Sequence, residues 1–424
     1  MSIITENPRY SCALGGAVAT AKNIYGTIPI IHAGPGCGNQ ISMGQGSLAG
    51  FQGVGYIGGN ALPSSNMYEQ EVIFGGEDKL NELIGSTLEV VKGDLYFVLT
   101  GCTAGIIGDD CESIVNEYIS KGYPVIHAAT EGFKGSSYYG YEIVFETLAN
   151  KFLKPLPKNN KTVNIFGIVP YQDVNWQGNL EEITRLLNRL GLKVNSFLIN
   201  KQGIEAFKTS SEAALNIIIS PWIAESLANI YKDKFDIPFI RYPGLPIGPT
   251  ASSEFLKQAA SALNIDNDLV QKVIEEETDY AYTYIEKMSD IYKQFRFAII
   301  GDTNTVIGLT NFLINDYGQI PTVAIITDEP KEEYRDDIIK ELSSFEFAYP
   351  PKVVFSDDRY IISTEIEKAE PSFIFGSSLD KEIAQTLGIP HLSVSFPITD
   401  RLILNHAFAG FRGSITFIED IFRG

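Results

Sequence analysis

The stretch IPIIHAGPGCGNQ, residues 28–40, decides how this chain is read. An apolar run breaks off at Gly34-Pro35-Gly36-Cys37-Gly38. A run without polar alternation is the pattern of a strand buried on both faces, and such strands belong to parallel sheets covered by helices. DLYFVLTGCTAGIIGDD, residues 94–110, repeats the arrangement and breaks at Gly101-Cys102. YPVIHAA, residues 123–129, is a third buried strand. Between them EDKLNELIGSTLEVVK (77–92) and CESIVNEYISKG (111–122) read as helices. The alternation predicts parallel sheets with helices on both faces.

The pattern continues outward from this stretch. KPLPKNNKT, residues 154–162, is polar, carries two prolines and reads as a domain boundary. A new unit follows, with VNIFGIVP as strand, NLEEITRLLNRLG as helix and KVNSFLI as strand, continued by LNIIIS and KFDIPFIRYP. Residues 253–296 read as mostly helical. RFAIIGDTNTVIGLTNFLINDYG then opens a third strand-turn-helix unit at Gly301-Asp302, and SFIFGSSLDKEIAQTLGIP closes it. The expected fold is therefore α/β: three doubly wound, Rossmann-like parallel-sheet domains, residues 1–155, 156–290 and 291–424, around a shared crevice, with the cysteines in the first.

The totals exclude several classes. At 424 residues, 44% hydrophobic and 20% charged, the chain is globular and long enough for two or three domains. Thirty-three basic against 52 acidic residues give a net charge of −19. That field repels phosphate backbones and anionic lipid heads, so neither nucleic acid nor a membrane surface is an expected partner. No apolar run approaches the roughly 20 residues of a membrane helix. The opening MSIITENPRYSC has no basic start followed by an apolar core, and the expected location is the cytoplasm.

The four cysteines are Cys12, Cys37, Cys102 and Cys111. In a reducing compartment, metal or redox work is expected of them rather than disulfides. Strand ends line the ligand crevice of open parallel sheets, so Cys37 and Cys102 are aimed at it. Glycine beside them lets the backbone turn sharply and approach a bulky ligand. Bare N–H groups in such turns point at anions, and the sulfide of an iron–sulfur cluster is one. Cys12 precedes ALGGA, again only small residues. No C-x-x-C occurs, which removes zinc fingers and simple ferredoxin runs. Two readings of the trio stand open: cluster ligands, or buried free cysteines acting as small apolar residues. Cys111, at a helix start, reads as structural.

Other chemistry is poorly represented. His32 and His127 sit inside apolar strands and read as hydrogen-bonded core residues; His391 and His406 complete the set. There is no H-E-x-x-H and no G-x-x-x-x-G-K-[ST], so ATP work must sit on another chain. Gly108-Asp109-Asp110 reads either as a cation site or as an acidic turn capping the next helix.

Taken in order, NPRYSCALGGA, HAGPGCGNQ, PSSNMYEQEVIFGGEDKL, TGCTAGIIGDDCESIV, TEGFKGSS, GNLEEITRLL, LPIGPTASSEFL, FAIIGDTNTVIGLTNFL and FGSSLDKEIAQTLGIPHLSVSFPITDR resemble the nitrogenase component 1 family over nearly the whole chain. The resemblance implies three parallel α/β domains and an oxidoreductase subunit in an α2β2 assembly, fed electrons by a transient ATP-hydrolysing iron protein. The cofactor-bearing alpha type carries a cysteine in its middle portion and a histidine just before the C-terminal Gly-Phe-x-Gly. Here no cysteine follows Cys111, and Ala409 precedes Gly410-Phe411-Arg412-Gly413. The chain therefore resembles the beta type. The resemblance then implies that Cys12, Cys37 and Cys102 are the three beta-side thiolates of an iron–sulfur cluster, 8Fe-7S P-type or 4Fe-4S, shared with the alpha-type partner. The cluster relays electrons toward a cofactor in that partner, where substrate, dinitrogen among the candidates, is reduced. Many beta subunits add a serine oxygen in the segment matching Thr130–Gly135; here it is missing. Phe74 matches a position near the iron-protein docking surface, with a core phenylalanine as the other reading. The alternatives carried forward are a nitrogenase-like reductase acting on a carbon–sulfur bond or a tetrapyrrole, a cofactor-assembly scaffold subunit, and a non-enzymatic small-molecule binding protein.

Overall fold

The computed structural model describes residue 6 and residues 8–53, 55–56, 62–288, 293–346 and 348–422. Its twelve strands form three sheets, parallel throughout. The first holds β1 (Thr27–His32), β2 (Leu95–Thr100) and β3 (Val125–Ala128), in that order. The second holds β4 (Asn159–Phe166), β5 (Lys193–Asn195), β6 (Ala213–Ile219) and β7 (Phe239–Tyr242), ordered β5-β4-β6-β7. The third holds β8 (Arg296–Gly301), β9 (Ile320–Ile326), β10 (Lys352–Phe355), β11 (Phe373–Gly376) and β12 (His391–Ser393), ordered β10-β9-β8-β11-β12.

The first sheet shows why the apolar runs are continuous. Every residue of β1 and β2 is buried. Side chains alternate between faces. Ile28, Ile30, Tyr96 and Val98 pack with Leu80, Ile84, Cys111 and Val115 from the helices Glu77–Val90 and Cys111–Ser120. Ile31, Phe97 and Leu99 join the main core with the helices Ala13–Asn23 and Ser137–Lys151. Those two helices cross with almost no separation. A Cβ on Gly16 would sit 1.8 Å from the Ser137 carbonyl oxygen, and one on Gly140 would sit 2.1 Å from that of Ala13. Glycine is the only residue the crossing admits at either point.

One expectation needs adjusting. The polar stretch read as a boundary is partly strand: β4 begins at Asn159 and pairs with β6 from there, with a register shift before Val163. Residues 253–296 do contain most of two helices, Gly248–Leu263 and Asn267–Ile285, while residues 289–292 lie outside the described set.

In the second and third sheets the winding reverses between β4 and β6 and between β8 and β11, the places where ligand crevices open in such folds. Here side-chain hydrogen bonds join the second and third sheets. The Asn304 amide donates to the carbonyls of Gly167 (3.0 Å) and Ile219 (2.8 Å), and Trp222 Nε1 donates to Asp328 Oδ2 (3.1 Å). Tyr10 OH meets Thr327 Oγ1 at 2.7 Å, tying the N-terminal segment to the same junction. Asp173, Asp302 and Asp328 are all buried there. The C-terminal helix Gly410–Ile421 returns to pack on the helices Gly248–Leu263, Asn267–Ile285 and Trp176–Arg189.

Candidate functional site

Strand register brings two of the cysteine loops together. β1 and β2 are in register to their last residues, His32 opposite Thr100. The segments beyond them therefore leave the sheet side by side, and Gly101 N donates to His32 O at 2.9 Å. Cys37 lies in the first turn of the helix Pro35–Leu48, which has proline at its start. Cys102 opens the helix Cys102–Ile107. Cys12 is the residue capping the helix Ala13–Asn23, which packs on β1 and β2. Its position is fixed by an antiparallel bridge to Ser136, flanked by Ala13 N→Gly135 O and Ser137 N→Ser11 O, both 2.8 Å.

That bridge draws the 132–137 loop over the sulfurs. A Cβ on Gly132 would lie 3.0 Å from Cys12 Sγ and 3.0 Å from Cys102 Sγ. The two sulfurs are thus near neighbours, and the glycine leaves open the space between them. The Cys37 thiol is pushed up first by burial and then by the charges of Cys12 and Cys102, which places it in the same group. All three thiols stand at helix N-terminal ends. Bound iron would relieve the mutual repulsion that Cys37 feels. Glu131, beside Gly132, pairs with Lys134 at 2.7 Å and accepts from Thr100 Oγ1 at 3.3 Å, so its charge is already engaged.

The donor set discriminates between metals. Among the described residues no three or more His, Cys, Asp or Glu side chains are arranged to hold a single metal ion. A zinc-type site, with ligands converging on one point, is therefore absent from those residues. A multi-iron cluster asks for something different: thiolates distributed around its periphery, one per iron, with backbone close to its sulfides. Three sulfurs from three helix starts, around a gap lined by glycine, fit that demand. The group also opens outward, with Cys12 exposed and Cys37 and Cys102 half-buried. Exposed Phe133 and Met43 lie on neighbouring segments, so apolar surface is available to a covering chain.

The remaining candidates resolve into structural roles. Cys111 is buried among Ile28, Leu80 and Val115; burial and the nearby Asp109, Glu77 and Asp110 push its thiol up to about 12, so it stays protonated. His32 is buried and bonded to Ser65 Oγ (3.0 Å) and Asp109 Oδ2 (2.9 Å), and His127 Nδ1 is bonded to Glu112 (2.9 Å). Burial lowers both imidazole pKa values. The cation reading of Gly108-Asp109-Asp110 gives way: Asp109 accepts from His32 and from Gly76 N (3.0 Å), and Asp110 caps the next helix by accepting from Ser113 N (3.0 Å). The core reading of Phe74 also fails, since Phe74 is 83% exposed on the short helix Glu69–Phe74 with Ile73 at 69%. Ile106, on the adjacent helix, is 74% exposed.

Two features escaped the sequence. The place of Gly132 between two sulfurs depends on the bridge at Cys12. The buried pairing of Arg9 with Asp380 spans 371 positions. Only Asp380 left a trace, as the fourth residue of the Ser-x-x-Asp capping pattern at 377–380.

A family model described as Nitrogenase component 1 type Oxidoreductase matches residues 12–424. The nitrogenase vanadium-iron protein beta chain of Trichormus variabilis is 26% identical over 446 residues, covering 96% of this chain and 91% of that one. The nitrogenase molybdenum-iron protein beta chain of Azotobacter vinelandii is 24% identical over 464 residues, covering 99% and 83%. A solved structure described as nitrogenase Cp1 at pH 6.5 has a TM-score of 0.83 at 21% identity, covering 100% of this chain and 93% of that one, so the fold is shared. No helix among the described residues is long and apolar enough to cross a membrane. With the family match beginning at the first of the three cysteines and running to the last residue, the chain belongs to the nitrogenase component 1 type oxidoreductases, and the two relatives named above are beta chains.

Proposed function

We propose that this chain is the beta-type subunit of a nitrogenase or nitrogenase-like reductase, and that Cys12, Cys37 and Cys102 are its thiolate ligands to an iron–sulfur cluster shared with an alpha-type partner. The observation that carries the reading is the gathering of three sulfurs from distant chain positions at one outward-opening face, around the gap at Gly132. When bound, the cluster supplies one-electron relay between an ATP-hydrolysing iron protein and a cofactor in the partner. The chain's own residues hold, orient and shield. Three helix starts present the sulfurs, and the 132–137 loop passes Gly132 close to those of Cys12 and Cys102. A covering subunit completes the dry environment in which burial and hydrogen bonds to sulfur tune a potential. Phe74, Ile73 and Ile106 offer apolar surface for the transient donor.

Asn304, Trp222 and the buried aspartates at the junction between the sheets are engaged with the chain's own groups. The beta assignment rests on the beta-chain relatives and on the absence of a cysteine after Cys111. Substrate chemistry then belongs to the partner, and dinitrogen is one candidate substrate. The test is the Cys37→Ala/Cys102→Ala double variant, purified anaerobically with its partner. The expected result is loss of cluster iron and of reductase activity; full iron content with full activity contradicts the reading.

A further inference from the structure

The segment that delivers Cys12 is held at its upstream end by a different part of the molecule. Arg9 and Asp380 form a bidentate ion pair: Nη1 to Oδ2 at 2.8 Å and Nη2 to Oδ1 at 2.5 Å. Nη1 also donates to Ser377 Oγ at 2.7 Å. Both side chains are almost fully enclosed, at 2% and 3% exposure. Asp380 is itself fixed, because its Oδ2 accepts from Ser377 N (2.7 Å) and from the Ser377 hydroxyl (2.8 Å) in a capping box. Further contacts run along the same arm. Glu6 N donates to Asp358 Oδ2 at 2.8 Å, Arg359 N donates to Glu6 O at 3.1 Å, and Tyr10 stacks on Phe396 while bonding Thr327. Glu6, Arg9 and Tyr10 thus bind to the third sheet's end of the molecule, and Cys12 follows two residues after Tyr10.

We infer that Arg9 is a positioning residue for Cys12: its fork into Asp380 fixes the arm so that the Cys12 sulfur meets Cys102 across Gly132. The inference rests on the cluster reading above for its functional meaning, but its geometry stands apart from it. Cys37 and Cys102 follow the in-register ends of β1 and β2. Cys12 follows no strand: it is held on one side by its bridge to Ser136 and on the other by a strap anchored more than 300 positions away. A planar guanidinium matched to a carboxylate fixes direction as well as distance, which a lysine does not.

The test compares the parent chain with Arg9→Met/Asp380→Asn. That pair of changes leaves no buried charge unpaired, and the amide oxygen at position 380 still accepts from Ser377 N, so a purely structural ion pair is replaced at little cost in stability. The full chain, grown under iron limitation, is treated with phenylarsine oxide. This arsenical condenses with two neighbouring thiols, forming two As–S bonds and releasing water, with no change of oxidation state at sulfur. Mass spectrometry reads the Cys12–Cys102 adduct. The parent is expected to give it, and the double variant, at unchanged melting temperature, is expected to give at least about tenfold less, as a freed local segment would. Complex purified with its partner should show the matching change in its iron–sulfur spectrum. A parental adduct yield in the folded double variant overturns the positioning role. Absence of the adduct in the parent overturns instead the gathering of the sulfurs, and with it the cluster reading. If the double variant does not fold, Arg9→Lys, which keeps the charge and loses the fork, is read by the same adduct yield.

Discussion

The cysteine face and the three-sheet junction are built from the same raw material and end differently. Both lie at the C-terminal ends of parallel strands, where polar loops converge. At the cysteine face the loops carry glycine and thiols, the sulfurs are partly exposed, and a gap stands at Gly132. At the junction the loops carry Asp173, Asp302 and Asp328, all buried and each accepting hydrogen bonds from within the chain. The first region is left incomplete by its own chain; the second is complete. On the proposed reading the first region holds a cluster at an interface, while the second ties the chain's own sheets together.

The largest expected effect breaks the comparison at Gly132. Gly132→Val puts branched carbon where a Cβ already comes within 3.0 Å of two sulfurs. The complex should lose nearly all its cluster iron by metal analysis. The chain's thermal stability should stay near the parent's, because the displaced volume lies at an open face.

At the junction the order of effects reverses. Asp328→Ala strips partners from Thr303 N, the Thr303 hydroxyl and Trp222 Nε1, all buried. The expected loss is about 3–5 kcal/mol of unfolding free energy in denaturant titration. Cluster iron in the protein that does fold should be unchanged.

A pH series sharpens the contrast. Burial first, and then the neighbouring Asp302, push Asp173 and Asp328 up to about 7 each. Their folded values lie above those of the unfolded chain, so the folded state holds more protons between the ordinary carboxylate range and neutrality. Stability contributed by these groups is present at low pH and is lost as pH rises toward and through 7. The slope is at most about 1.4 kcal/mol per pH unit for each group. Urea unfolding between pH 5 and 8 should show the decline, and Asp173→Asn should flatten it. A slope unchanged by that substitution would remove Asp173 from the account.

The smallest effect is expected at the exposed apolar patch. Phe74→Ala should change stability by less than about 0.5 kcal/mol and leave iron content alone. What should change is the concentration of iron protein needed for half-maximal turnover.

The sequence carried the parallel sheets plainly, because strands buried on both faces leave an uninterrupted apolar signal. It carried the cysteines as strand-end residues for the same reason. The meeting of Cys37 and Cys102 was less legible, since that needs β1 and β2 to be neighbours in register, and no local pattern states which strands pair. The start of β4 was hidden because Asn159, Asn160 and Lys161 are exposed and polar and read as linker. The junction aspartates looked like ordinary turn and cap residues: Asp302 does cap the next helix, by accepting from Thr305 N. Their burial arises only when three sheets close on one another. The Arg9 strap lay furthest out of reach, as a contact between two ends of the chain.

Diffraction at the iron edge from crystals of the complex with its partner tests the central claim most directly. The account predicts anomalous peaks within bonding distance of the Cys12, Cys37 and Cys102 sulfurs, at a face covered by the second subunit. Iron confined to the partner, with these three sulfurs unliganded, would contradict it.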